Sequence, residues 1–342
     1  MIRSNFCSKI ASETCVTGPP RELVTTATHT SISSNEDGDG ESPSPVPKPC
    51  QGNYWAIPNF FKPLVDLLGT LTICTTAFYG LERYAGDMAI TKAFEKGNRP
   101  IQPFDNRTVH KDMSTCTDVG FIFLFKCCMD MMVGAFSWSG VVCKTWVWIS
   151  RSTFGRSILK PYGNLNMFKV RMANMMVARE ILLMLLLACK SVHQFMENPL
   201  SSIIDRYPKF PELKQLLDIT HSVHSLGNYG AESKKPIKVF STVGYLNKAC
   251  KRFDPKLMGK RKHGSITTKK KSKSGKVSVS GGPGLTHSQA YPRGFGEMVH
   301  EMYMNHRHEN PAPLPVQAAD DFISKYTWND SGIPQLIQRL CW

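Results

Sequence analysis

Apolar residues recur at spacings of mostly three and four along one long stretch of the chain: Phe168, Met172, Met175, Met176, Ile181, Leu182, Leu185, Leu186 and Cys189. That is the period of a helix turned toward a core, and Asn198-Pro199 closes the segment. A shorter helix is predicted from Pro211, suited to a first helical position, through Leu213, Leu216, Leu217 and Val223 to a stop at Gly227. Another is predicted after Pro236, with Val239, Val243, Leu246, Cys250 and Phe253 on one stripe. Further on, Met298, Val299 and Met302 mark a short helix, followed by two more over Val316 to Tyr326 and Pro334 to Cys341. No sustained period-two alternation bounded by hairpin turns is seen, and no internal repeat. The pattern therefore predicts an all-α fold, a multi-helix globular body.

Around that body the composition shifts three times. Residues 1–53 are rich in Ser, Thr, Gly and Pro, with Glu36, Asp37, Asp39 and Glu41 clustered before a Pro-rich stretch, and read as a disordered acidic arm. Residues 54–253 form the expected helical body. Residues 254–293 are dominated by Gly, Ser and Lys, too poor in apolar surface to offset the entropy of ordering, and read as a disordered basic loop. Residues 294–342 read as a short helical tail that packs back on the body or reaches another molecule.

With 342 residues, 42% of them apolar, the chain can bury a sizeable core. Many of its 11 cysteines, such as Cys127, Cys128, Cys143 and Cys189, lie inside apolar runs and read as buried thiols of a reducing compartment. The first residues lack the apolar stretch of a secretory signal, so an intracellular protein is expected, in cytoplasm or nucleus, with the sequons at Asn106 and Asn329 unused. Three greasy segments invite a membrane reading: Leu64 to Leu81, Val119 to Cys143 and Ile181 to Cys189. Each is cut short by charge: Asp66 and Glu82 enclose 15 residues, Lys126 and Asp130 interrupt the second segment, and Glu180 and Lys190 bound the third. Core helices are the expectation, because a span needs about 18 or more apolar residues.

The formal charge of +15 points to acidic partners. Much of it lies between Lys251 and Lys276, where eleven Lys or Arg face one acid, Asp254. Lys260, Arg261, Lys262, Lys269, Lys270, Lys271 and Lys273 are candidate phosphate contacts that read no bases, and the two triplets also suit a nuclear-import signal. A second constellation lies in the body: from Met131 through Arg179 there is no Asp or Glu. Lys144, Arg151, Arg156, Lys160, Lys169, Arg171 and Arg179 alternate there with Trp138, Trp146, Trp148, Phe154, Tyr162 and Phe168. Guanidinium forks for phosphates and rings for unpaired bases are what a groove for single-stranded nucleic acid requires, and Arg151 to Arg156 is its expected centre. The acidic arm could occupy that groove until RNA displaces it.

No catalytic, metal or cofactor signature is found. His221 and His224, and His300, His306 and His308, lack ligand spacing, and Cys127-Cys128 is not a C-x-x-C pair. No P-loop, no G-x-G-x-x-G after a strand and no G-x-S-x-G occurs. The expectation is a non-enzymatic nucleic-acid-binding protein that coats single-stranded RNA in a nucleocapsid- or coat-like assembly. It would self-associate through the N-terminal arm or the C-terminal tail. The alternatives are a membrane-associated protein with its polybasic loop on anionic lipid, and an RNA-sequestering accessory protein that does not assemble.

Overall fold

The computed structural model describes residues 57–69, 78–107, 109–260, 262, 264–272, 274–275, 277–285 and 287–341. The expected acidic arm, residues 1–53, lies outside the described residues.

The all-α expectation is overturned by a six-stranded mixed sheet in the order β2-β1-β3-β4-β6-β5. The strands are β1 (Phe78–Arg83), β2 (Gln102–Phe104), β3 (Met131–Ser139), β4 (His193–Pro199), β5 (Thr220–Ser225) and β6 (Pro236–Ser241). The first four run parallel, and β6 runs antiparallel to both β4 and β5. Helices cover both faces, so the architecture is a three-layered α/β fold.

One face is dominated by the long helix whose period the sequence displays, α4 (Phe168–Cys189), together with α1 (Lys62–Gly69), α3 (Asp118–Asp130), α5 (Phe210–Leu216), α7 (Val316–Ser324) and α8 (Ile333–Cys341). Helices α2 (Ala89–Lys96) and α6 (Arg293–His306) pack on the other, where Phe94, Phe295, Val299 and Tyr303 meet Phe136, Trp138 and Phe195 of the sheet. Helix α3 starts where the Thr117 side chain accepts a hydrogen bond from the Gly120 amide at 3.1 Å, a standard N-cap. Both α3 and α4 are apolar around most of their circumference, as helices enclosed by protein are. By length and composition α4 could cross a membrane, yet 83% of its apolar window is buried within the protein.

One predicted helix is thus cut short by a strand and another is replaced by one. The Pro211 helix ends at Leu216 and its continuation is β5, while the stretch after Pro236 is β6 followed by a 3-10 turn, Gly244–Ala249. Two of the greasy segments contain sheet as well: Leu64 to Leu81 runs from α1 into β1, and Val119 to Cys143 is α3 joined to β3. The stretch expected as a disordered basic loop contains a hairpin, β7 (Thr267–Lys271) paired antiparallel with β8 (Val277–Gly281). Here Thr and Val supply the strand preference that lysine does not oppose at an exposed edge. The C-terminal helices place Phe322, Ile323, Trp328, Ile333 and Leu336 in the main core.

Candidate nucleoside crevice and basic surface

In a doubly wound sheet, ligands bind beyond the carboxyl ends of the strands, where successive connections leave in opposite directions. Here the chain passes from β1 outward to β2 and then returns to the other side of β1 as β3, so the switch point lies between β1 and β3. At that point the backbone is strained. Tyr84, Gly86 and Met88, the second, fourth and sixth residues of the loop segment Arg83 to Met88, have φ of 57°, 52° and 56°. Left-handed geometry costs a non-glycine residue roughly 1–2 kcal/mol, so two such residues in one short loop mark a shape held for a purpose. A Cβ on Gly86 would meet nothing within 4 Å, so the loop faces open space there.

Acidic groups surround this loop. The Asp105 carboxylate, immediately after β2, accepts hydrogen bonds from the Gly86 amide at 3.2 Å and the Arg107 amide at 2.7 Å. Below the loop, one Glu82 oxygen accepts from the Thr91 amide at 2.7 Å and hydroxyl at 2.6 Å. Its other oxygen is buried without a protein partner. Burial pushes the Glu82 carboxyl up to about 7, against the pull of the Thr91 donors. On β4, Glu197 carries a second unpartnered buried oxygen, while its Oε2 accepts from the Tyr291 hydroxyl at 2.7 Å. Burial also raises the Glu197 carboxyl, opposed by Lys235.

A cleft of about 380 Å³ adjoins the loop, lined by Asp87, Ala89, Lys92, Ala93, Lys96, Tyr291, Arg293 and Glu297. A second of about 380 Å³ lies beside Gln194, Thr242 and the Pro311–Pro315 strap. Gln194 is the second residue of β4 and Thr242 follows antiparallel β6, so that second cleft is at the amino end of the parallel strands, away from the switch point.

The basic residues divide into groups. Arg156 is 4% exposed, its Nε donating to Thr145 Oγ1 at 3.2 Å and Nη2 to Asn174 Oδ1 at 3.0 Å, with its guanidinium 3.4 Å over the Trp146 ring. Desolvation pulls it down to about 10. Arg179 is buried too, donating to the carbonyls of Ser331 at 2.7 Å and Thr115 at 2.6 Å and lying 3.4 Å from Asp118. Phosphates cannot reach either. Lys144, Lys160, Lys169 and Arg171 are exposed and Arg151 half-buried. Of the rings, Trp138, Trp146 and Phe154 are core anchors, whereas Trp148 and Phe168 face solvent. Lys260, Lys262, Lys269, Lys270 and Lys271 are exposed on or before the hairpin, and Arg261 and Lys273 lie outside the described residues.

Among the described residues no group of three or more metal-ligating side chains occurs. His224 is enclosed in β5 with its Nε2 at 2.9 Å from Ser222 Oγ, and His306 pairs with Glu309 at 2.7 Å. The crevice residues Glu82, Gly86 and Asp105 are not found by a search for G-x-G-x-x-G. Their signal is fainter: an acid closing an apolar run, a glycine four residues on, and a second acid at 105. Tyr84 and Met88 hold left-handed positions that glycine ordinarily fills, which hides the motif. No family model, no curated protein and no solved structure matches this chain.

Proposed function

We propose that the protein binds a nucleoside-bearing ligand in the switch-point crevice and holds a nucleic acid strand on its lysine hairpin. The observation that carries the first part is the run of left-handed positions at Tyr84, Gly86 and Met88 directly after β1, tied by the Gly86 amide to Asp105. Asp105 stands 23 residues beyond Glu82 (105 minus 82), about the spacing of the acid that receives ribose hydroxyls in dinucleotide folds.

The residues also narrow the ligand. Tyr84 and Met88 carry side chains where close approach of a pyrophosphate calls for glycine. A nucleoside whose tail carries no phosphate suits this setting. S-adenosylmethionine has that chemistry, and with it the capacity for methyl transfer. ATP and NAD, which carry phosphates, do not.

Titration calorimetry of the full chain with S-adenosylmethionine, ATP and NAD tests this. Binding of the sulfonium nucleoside in preference to the other two is expected, with Asp105→Asn weakening it roughly tenfold through loss of charge-assisted hydrogen bonds. Equal or stronger binding of ATP or NAD would contradict the ligand class, and no binding of any would remove the crevice.

Polymer contact rests on the hairpin, where Lys269, Lys270 and Lys271 stand on an exposed two-stranded ribbon. Such lysines neutralise phosphates without reading sequence. Single-stranded RNA is the expected polymer.

A further inference from the structure

Five large apolar side chains stand in water between the end of β3 and the first turn of α4. Trp148, Ile158, Leu165 and Phe168 are more than half exposed, and Leu159 is 96% exposed. The most prominent pair, Ile158-Leu159, forms the tip of a tight turn. The Ser157 amide donates to the Lys160 carbonyl and the Lys160 amide to the Ser157 carbonyl, both at 3.2 Å. The turn is fixed from below: the Asn164 amide donates to the Phe154 carbonyl at 2.8 Å, and Gly155 and Gly163 take φ of 63° and 69°. Buried Arg156 clips the loop to the body by donating to the Pro161 carbonyl and the Asn174 side chain. The tip is therefore held outward, with no slack to fold its leucine back.

Every charged residue of the segment that carries it is a cation. Lys144, Arg151, Lys160, Lys169 and Arg171 belong to the same acid-free segment. The carboxylate that acts on Tyr162 of this loop, Asp330, is engaged by Lys209 at 2.7 Å and by the Tyr207 hydroxyl. Cations alone would suit nucleic acid, but aliphatic side chains offer a base no stacking face, and a polyphosphate offers Leu159 no apolar refuge. A bilayer offers both, with anionic headgroups for the cations, an interface for Trp148 and an acyl boundary for Ile158 and Leu159.

We propose that the Ser157–Lys160 turn is a membrane-docking loop that inserts Ile158 and Leu159 into the interface of an anionic bilayer while the surrounding cations hold the headgroups. The helices and strands of the body stay outside the lipid. This surface is separate from the crevice and from the lysine hairpin, and it does not depend on the function proposed for them.

The test is co-sedimentation of the full chain with vesicles of phosphatidylcholine alone and of phosphatidylcholine mixed with phosphatidylserine. The wild-type chain is expected to pellet with the mixed vesicles and not with the neutral ones. The double variant Ile158→Ser, Leu159→Ser should partition roughly tenfold more weakly, since two apolar side chains no longer enter the interface. Both residues are exposed, so the variant should keep the wild-type melting temperature. Failure of the wild type to pellet with anionic vesicles would overturn the proposal, as would equal pelleting of the variant. Loss of RNA affinity in the variant with pelleting unchanged would give the surface to nucleic acid. A shift from dimer to monomer on gel filtration with pelleting unchanged would give it to a second copy. Either result overturns the lipid assignment.

Discussion

Glu82 lies on β1 with one carboxylate oxygen satisfied by Thr91 and the other buried alone. Its carboxyl is raised to about 7 in the fold from 4.5 in the unfolded chain, so the folded state holds the proton more tightly between those values. The sign follows: stability falls as pH rises from about 4.5 to 7, by roughly 3 kcal/mol from this group. Burial raises Glu180 and Glu197 in the same direction. Urea denaturation at pH 5 and pH 7.5 should show the loss, and Glu82→Gln should reduce it; an unchanged difference would mean that Glu82 is not the group responsible. Arg156 carries a different lesson. Composition marks it as a phosphate contact, but its partners Thr145 and Asn174 and the ring of Trp146 make it a structural clip. Arg156→Ala should cost roughly 3 kcal/mol of stability, from lost charged hydrogen bonds and a cavity beside Trp146, measured by denaturant titration. Nothing in a run of basic residues tells which cation turns inward, because that depends on acceptors supplied by distant segments.

Helix α4 was legible from its period, though it ends at Cys189 and not at the expected Asn198-Pro199, where β4 lies instead; α6, α7 and α8 were legible in outline, since amphipathic spacing survives in a single sequence. The strands were not. β3, Met131–Ser139, is covered on both faces and shows no alternation, so it reads as more of the apolar run that begins in α3. β4 hides for the opposite reason: His193, Gln194, Glu197 and Asn198 are buried polar residues, and no apolar run announces them. Helix α4 also supplies the partner of Arg83, whose Nη2 lies 2.9 Å from Glu180 Oε1, both side chains about 1% exposed. Glu180→Ala would leave that arginine buried and unpaired at a cost of roughly 3–5 kcal/mol, seen as a lower urea midpoint. Were the midpoint unchanged, the pair would not be holding α4 to β1. On the hairpin, replacing Lys269, Lys270 and Lys271 by glutamine should reduce the slope of log affinity against log salt by roughly 2 for single-stranded RNA. An unaltered slope would place the polymer elsewhere.

At the scale of the molecule, the order β2-β1-β3-β4-β6-β5 decides which of the two clefts is the better candidate. The parallel strands direct their carboxyl ends, and with them Glu82, Asp105 and Glu197, to one rim, while the Pro311–Pro315 strap closes the opposite one. None of this rim was visible in the sequence, because strand order joins residues 82, 105 and 197 across separations that no local pattern spans. The basic hairpin leads within ten residues from Gly281 to Tyr291, which rests over Gly140 just after β3, so the lysine hairpin and this rim of the sheet are linked by a short connection. If the strained loop after β1 cradles a nucleoside, amide hydrogen exchange with saturating S-adenosylmethionine should slow at Tyr84 to Met88 and at Asp105 to Arg107 relative to the free protein. Protection confined to the Pro311–Pro315 side, or none at all, would rule that binding mode out.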